Sequence, residues 1–409
     1  MQEIFNQAIK TLSEWVEIKS VKSTPSEGAP FGLEIKKMLQ KALLDASSLG
    51  FEVKNYDGYI GEVIYGNGDD SEGLAILCHL DVVPEGDLKR WNSPPYILTE
   101  SDGYLYGRGV LDDKGAAVIC LYALKSLKDE GFIPTKKIKL ILGCDEESGW
   151  GCIDHYNKVA VMPKTGFSPD GEFPVLYAEK GIYHIEYNFD LNSDIEFIKG
   201  GERINVVCDK AQVKLKGKRA ITFKGVSAHG STPELGDNAI KKALKYLVKK
   251  GVFNECDYEN LFSGRLFKNV KDESGILTFS PNVITIKEGK ISIDVDVRYP
   301  VHYTLKEVEK LLNKVGKFKV ISHHQPLYQD KNGELVTTLN SVYEKHTGVK
   351  LKPTTTGGGT YARALKNGVA FGPANIGEEC CHEPNERISK KSLEDCFYIY
   401  KEAIRRLSN

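Results

Sequence analysis

The 409-residue sequence predicts an α/β fold: a mostly parallel central sheet with helices on both faces, plus an inserted α+β domain built on an antiparallel sheet. Three observations predict it. Residues 73–78 and 137–143 are short, largely apolar runs, as strands buried on both faces are. A helical pattern from about Ala116 to Asp129 lies between them and ends at Gly131 and Pro134, giving a strand–helix–strand unit. From about Glu179 to Pro326 the strands instead alternate apolar and polar residues, the mark of a sheet with one wet face.

The elements follow in order. Ile4, Phe5, Ala8, Ile9, Leu12, Trp15 and Val16 fall at helical spacing and predict a docked first helix. After the strand–helix–strand unit, residues 183–189 form an amphipathic strand. A hairpin joins residues 283–286 to 291–297 through a turn near Glu288-Gly289. Helical patterns over 237–250 and 304–315 accompany it. The last ~80 residues return to the first texture: a helix over 334–347, a Gly-rich turn, an apolar strand at 369–371 and a final helix over 391–407. This return predicts a discontinuous domain, residues 1–178 and 327–409, with residues 179–326 inserted as a lid.

Composition narrows the function. Lys+Arg (55) nearly cancels Asp+Glu (56), which argues against nucleic acid or an anionic membrane as main partner. No apolar run approaches the ~18 residues of a membrane span. The start, Met1-Gln2-Glu3-Ile4-Phe5, has neither basic n-region nor apolar h-region, so no signal peptide is expected. Nine cysteines without a C-x-x-C read as reduced, mostly buried residues of a cytoplasmic protein. Cys380-Cys381 reads as ordinary loop despite its nearness to His382.

Carboxylates and histidines recur where the predicted strands stop: His79-Leu80-Asp81, Asp112-Asp113, Glu146-Glu147, Asp170 and His382. Parallel sheets place ligands at the carboxyl ends of their strands, which is the physical reason to group these residues. The donors are all oxygen or imidazole, which suits a hydrolytic site with two divalent ions better than a structural zinc knuckle. Each motif alone is weak. His79 and Asp81 could be a surface loop, or a ligand and the carboxylate that braces its ring. Asp112-Asp113 could merely cap the following helix. Glu146 and Glu147 could be a solvated acidic loop; as neighbours on a strand end they face opposite ways and suit one ligand and one general base. Spacing does not say which is which.

Together the segments resemble the aminoacylase/carboxypeptidase G/acetylornithine deacetylase family of two-metal hydrolases, and within it peptidase V-type dipeptidases. The resemblance runs in order through His79-Leu-Asp-Val-Val-Pro-Glu-Gly, Gly107-Arg-Gly-Val-Leu-Asp-Asp-Lys-Gly and Asp145-Glu-Glu-Ser-Gly. It continues through Ser168-Pro-Asp-Gly-Glu-Phe-Pro, Gly201-Glu-Arg-Ile-Asn, Ala228-His-Gly-Ser, Val297-Arg-Tyr-Pro, Gly357-Gly-Gly-Thr and His382-Glu-Pro-Asn-Glu. It implies a zinc-peptidase-like catalytic domain in which Asp112 bridges two metals, His79 and Asp170 complete one site, and Glu147 and His382 complete the other. It makes Glu146 the general base and Asp81 the partner of His79, and it implies a cis Asp112-Asp113 peptide. From the lid, His229 with Asn205 would donate to the oxyanion. Arg298, with backbone groups around Gly357, Gly358 and Gly359, would hold the substrate's C-terminal carboxylate.

The expected activity is hydrolysis of dipeptides or short peptides with a free N-terminus, using two zinc or manganese ions, with cobalt also compatible. The alternative is a deacylase of N-acyl amino acids. The insertion is about 150 residues, and residues 251–274 look abbreviated beside single-chain peptidase V-like enzymes. Shorter-lid relatives dimerise and borrow the lid histidine, so monomer and homodimer both stay open.

Overall fold

The computed structural model describes residues 2–375 and 380–409. The chain divides into two compact units. The first comprises Met1–Tyr177, Gln329–Thr354 and Thr360–Asn409, and the second Ala178–Tyr328 and Thr355–Gly359.

The first unit is built on a mixed sheet with a parallel centre. Four strands run parallel in the order Ile138–Gly143, Leu74–His79, Thr165–Ser168 and Asn367–Ala370. The first two are buried at every residue, which accounts for their unbroken apolar runs. The flanks are antiparallel: Glu52–Tyr56 and Ile60–Tyr65 on one side, Leu176–Glu179 on the other. The parallel part is therefore confined to the middle, because a tight turn at Asp57 and Gly58, both at positive φ, returns the chain as a hairpin. The helix Lys114–Asp129 lies almost wholly inside and packs on Lys390–Leu407 and Gln2–Val16. Phe5 meets Phe397 edge-on, and the Thr11 and Tyr122 hydroxyls join at 2.8 Å.

A polar cluster around Glu62 lies in this core. Glu62 and Lys139 pair at 2.9 Å with neither exposed. The hydroxyls of Tyr56 and Tyr156 donate to the same carboxylate. A buried pair is tolerated when its remaining hydrogen-bonding capacity is filled in this way.

Register sets up the site. His79 lies opposite Gly143, and Ala370 opposite Ser168, so the carboxyl ends of the four parallel strands form one edge. The residues that follow, Asp81, Glu146, Glu147 and Asp170, emerge from that edge.

The second unit is a seven-stranded antiparallel sheet with helices Ala239–Lys249, Glu255–Phe262 and Leu305–Leu312. Gly181–Asp190 buries alternate residues, so Tyr183, Ile185 and Tyr187 join the core while their neighbours stay half-exposed. A capping box, Thr304 with Glu307, starts the last helix. Residues 355–359 belong here through Lys180 N–H donating to Thr356 O and Arg298 Nη1 donating to Gly357 O. Among the described residues no helix is long and apolar enough to cross a membrane.

Candidate metal centre and substrate-contact residues

Two overlapping ligand sets lie at the carboxyl edge of the first unit. His79, Asp112 and Asp170 form one; Asp112, Glu147 and His382 form the other. Within each set the potential ligand atoms lie within 4.8 Å of one another. Metal bonds of about 2.0–2.2 Å place co-ligands up to about 4 Å apart, so small adjustments would let each set share one ion. Hard oxygen and neutral imidazole donors fit a divalent cation.

The imidazoles point inward. His79 is fully buried; its Nδ1–H donates to the backbone carbonyl of Asp81 at 2.9 Å, which leaves Nε2 toward Asp112 Oδ1 at 2.8 Å. His382 Nε2 reaches Asp112 Oδ2 at 3.1 Å and Glu147 Oε2 at 3.0 Å. The carboxylate of Asp81 stands 3.7 Å from the His79 ring and has other partners. It accepts the backbone N–H groups of Glu146 and Glu147, both at 3.1 Å. Asp81 thus braces His79 through its carbonyl and the glutamate loop through its side chain. The Asp112–Asp113 peptide is cis.

The centre is overloaded with acid. Burial pushes the Asp170 carboxyl up to about 7, and the nearby Asp112 adds to it. Desolvation raises Glu146 well above the usual range, with Asp170 contributing, and raises Glu147 less. Burial would raise Asp112 too, but hydrogen bonds from His382 and His79 outweigh it and hold it below normal. Desolvation disfavours charge on His382, yet its bonds to Asp112 and Glu147 lift it to about 11. Protons hold together a cluster that lacks positive charge, and divalent cations are the natural replacement. Glu146 belongs to neither ligand set.

The second unit gathers the other predicted residues. Val206 and His229 form a β-bridge, and Gly230 N–H donates to Asn205 O at 2.7 Å. His229 Nδ1 accepts from Ser231 Oγ at 2.7 Å and from Ser231 N–H, which places the proton of the neutral ring on Nε2. Gly230 is required here, because a Cβ would stand 2.1 Å from Asp296 Oδ2. A Cβ on Gly357 would touch Ser231 at 3.0 Å, and Arg298 reaches Gly357 O at 3.2 Å. Asn205, His229, Arg298 and Gly357 therefore form one neighbourhood, with Gly358 and Gly359 next in the chain. Arg298 is only 3% exposed, and its Nε and Nη2 bind Asp296 bidentately at 2.7 and 2.9 Å. One edge of the fork is committed inside the protein.

Sequence reasoning did not single out Asp296, which orients Arg298; Asp113 it had grouped with Asp112, and the buried Asp113 Oδ2 accepts the His79 N–H at 3.2 Å. Nor did it single out Ser20, whose hydroxyl donates to Leu80 O at 2.6 Å. Arg108 and Glu386 stood inside the motifs, yet their pairing at 2.5 Å spans 278 positions and has no local signal.

The model of peptidase family M20/M25/M40 matches residues 75–406, and the chain belongs to this family of metallopeptidases, whose centres take divalent metal ions. "Putative dipeptidase YtjP" of Bacillus subtilis (strain 168) is 32% identical, with 98% of this chain and 97% of that protein covered. "Putative dipeptidase SAB1611c" of Staphylococcus aureus (strain bovine RF122 / ET3-1) is 34% identical, covering 99% and 97%. Among solved structures, human carnosine dipeptidase 1 superposes with a TM-score of 0.63 at 18% identity over 100% of this chain and 98% of that one. The di-peptidase Dug1p of Saccharomyces cerevisiae gives 0.64 at 13% identity over 100% and 97%.

Proposed function

We propose that this protein is a dipeptidase that binds two divalent ions per chain, zinc or manganese, with cobalt able to substitute. The observation that carries the reading is the pair of ligand sets sharing Asp112, with Glu146 beside them and outside both. The names of the relatives point the same way. When bound, the ions supply a Lewis acid for the scissile carbonyl and lower the pKa of a water. His79 and Asp170 would hold one ion, Glu147 and His382 the other, with Asp112 available to both. Glu146 takes the proton of the attacking water and delivers it to the leaving amine. His229, a donor through Nε2, stabilises the oxyanion together with Asn205. Arg298 offers the substrate carboxylate its Nη1 edge beside Gly357, with Gly358 and Gly359 lining the same turn. The substrate is a small peptide, and neither nucleic acid nor membrane is a partner. Nine cysteines without a C-x-x-C suit the reducing cytoplasm.

The test is a panel of dipeptides, tripeptides and N-acetyl amino acids assayed with purified, metal-loaded enzyme, before and after chelation. Dipeptides should be cleaved best and chelator should abolish turnover. Faster release of acetate from N-acetyl amino acids would instead identify a deacylase. Full activity after chelation would end the metal reading.

A further inference from the structure

The loop that carries Asp112 is held by one buried side chain from a distant segment. Glu386 lies four residues after His382 and is fully buried. Its Oε1 accepts three backbone N–H groups, from Gly109 at 3.0 Å, Leu111 at 3.0 Å and Asp112 itself at 3.2 Å. Its Oε2 accepts Arg108 Nη1 at 2.5 Å, and its own carbonyl accepts Gly107 N–H at 3.1 Å. Arg108, 1% exposed, also donates to Pro84 O at 3.2 Å and lies over the Trp91 ring. Gly109 has φ +87, so this loop is bent around the carboxylate in a way few other residues allow. Strand pairing of Arg387–Ser389 with Tyr104–Tyr106 would bring the two segments together without Glu386. Its three N–H contacts instead fix the backbone from which Asp112 projects.

We infer that Glu386 is a positioning residue of the metal centre: it locks the Asp112 loop to the segment that bears His382 and so sets the spacing of the two ligand sets. The inference rests on the metal reading above. The two can fail separately, because the readout is a ratio to the wild type's own affinity. Removing a group that orients a ligand typically weakens metal binding by about 10–100-fold. Glu386→Gln keeps volume and one acceptor oxygen, but sets an amide N–H₂ against either Arg108 or the three N–H groups. Zinc affinity, measured by competition with a chromophoric chelator, should fall by about 10–100-fold. Adding Arg108→Met removes the opposed donor, so the double variant should recover to within a few-fold of wild type. Glu62→Gln is the control: it perturbs a buried carboxylate of the same unit, and should lower Tm while leaving zinc affinity unchanged.

Wild-type zinc affinity in Glu386→Gln would overturn the inference. So would an equal loss of affinity in Glu62→Gln at equal loss of Tm, which would make the effect general destabilisation. Should Glu386→Gln not fold, Glu386→Gln/Arg108→Met is compared with Glu386→Leu/Arg108→Met. The first keeps an oxygen for the three N–H groups and the second does not. Tighter zinc binding by the first upholds the inference, and equal affinity overturns it.

Discussion

Asp81 takes two backbone N–H groups on one carboxylate, and so aims Glu146 and Glu147 with a single side chain. The two glutamates are chemically alike, and the sequence could not assign them. Geometry separates them: Glu147 sits 3.0 Å from His382 inside a ligand set, and Glu146 does not belong to one. Glu146→Gln should therefore cut turnover by about 10²–10⁴, the usual worth of a general base, with metal content near normal. Glu147→Ala should lose metal as well. Metal loss in Glu146→Gln with both ions kept in Glu147→Ala would reverse the assignment. The acid overload gives a second prediction. In metal-free protein Asp170 titrates at about 7, against 3.8 for an unperturbed aspartate. Between those values the folded state holds a proton that the unfolded chain has released. Stability from this group therefore falls as pH rises through the window. The raised Glu147 acts with the same sign. Bound metal displaces these protons, so the gain in Tm on adding zinc should be larger at pH 7 than at pH 5. Equal gains at the two values would contradict it.

At the scale of elements, what could be read from the sequence was whatever a local pattern encodes. The Leu74–His79 and Ile138–Gly143 strands showed as apolar runs because both faces are buried. Their register then placed His79 and the glutamate loop on one edge, as the rule for parallel sheets requires. Other elements were not seen. Leu33–Ser48 was missed although Ile35, Met38, Leu39, Ala42, Leu43 and Ala46 stand at helical spacing, whereas Gly151–Val159 is short and starts from Trp150 at φ 60. Glu52–Tyr56 is mostly exposed and has no clean alternation. Sequence separation hid the rest. Residues 355–359 join the second unit through Lys180 and Arg298, neither of which is near in the chain. The bracing of ligand loops by Asp81 and Glu386 runs to backbone N–H groups, which carry no sequence identity. Motifs therefore revealed the candidate ligands more fully than most of the groups that brace them.

At the scale of the whole molecule, both ligand sets lie in the first unit and the His229–Arg298 neighbourhood in the second. Catalysis as proposed needs both, which raises the question of whose second unit serves a given metal centre. The alignment with YtjP spans 452 positions while covering 98% of this 409-residue chain, so the relative carries about fifty residues that this chain lacks. A shortened chain of this kind could have lost the means to complete its own site. The matching phrases nevertheless favour a site completed within one chain. His229→Ala should lower turnover by about 10²–10³, the usual cost of one oxyanion donor, with metal content unchanged. Mixing it with Glu146→Gln decides the source of the histidine. If His229 crosses between subunits, random exchange makes half the dimers mixed, each with one intact site, and activity returns to about a quarter of wild type. If it acts in its own chain, every site keeps one defect and nothing returns. We expect no recovery, under conditions where tagged chains are shown to exchange or light scattering gives a monomer. Recovery would make the protein an obligate dimer in its chemistry, and wild-type kinetics in His229→Ala would remove the histidine from the mechanism.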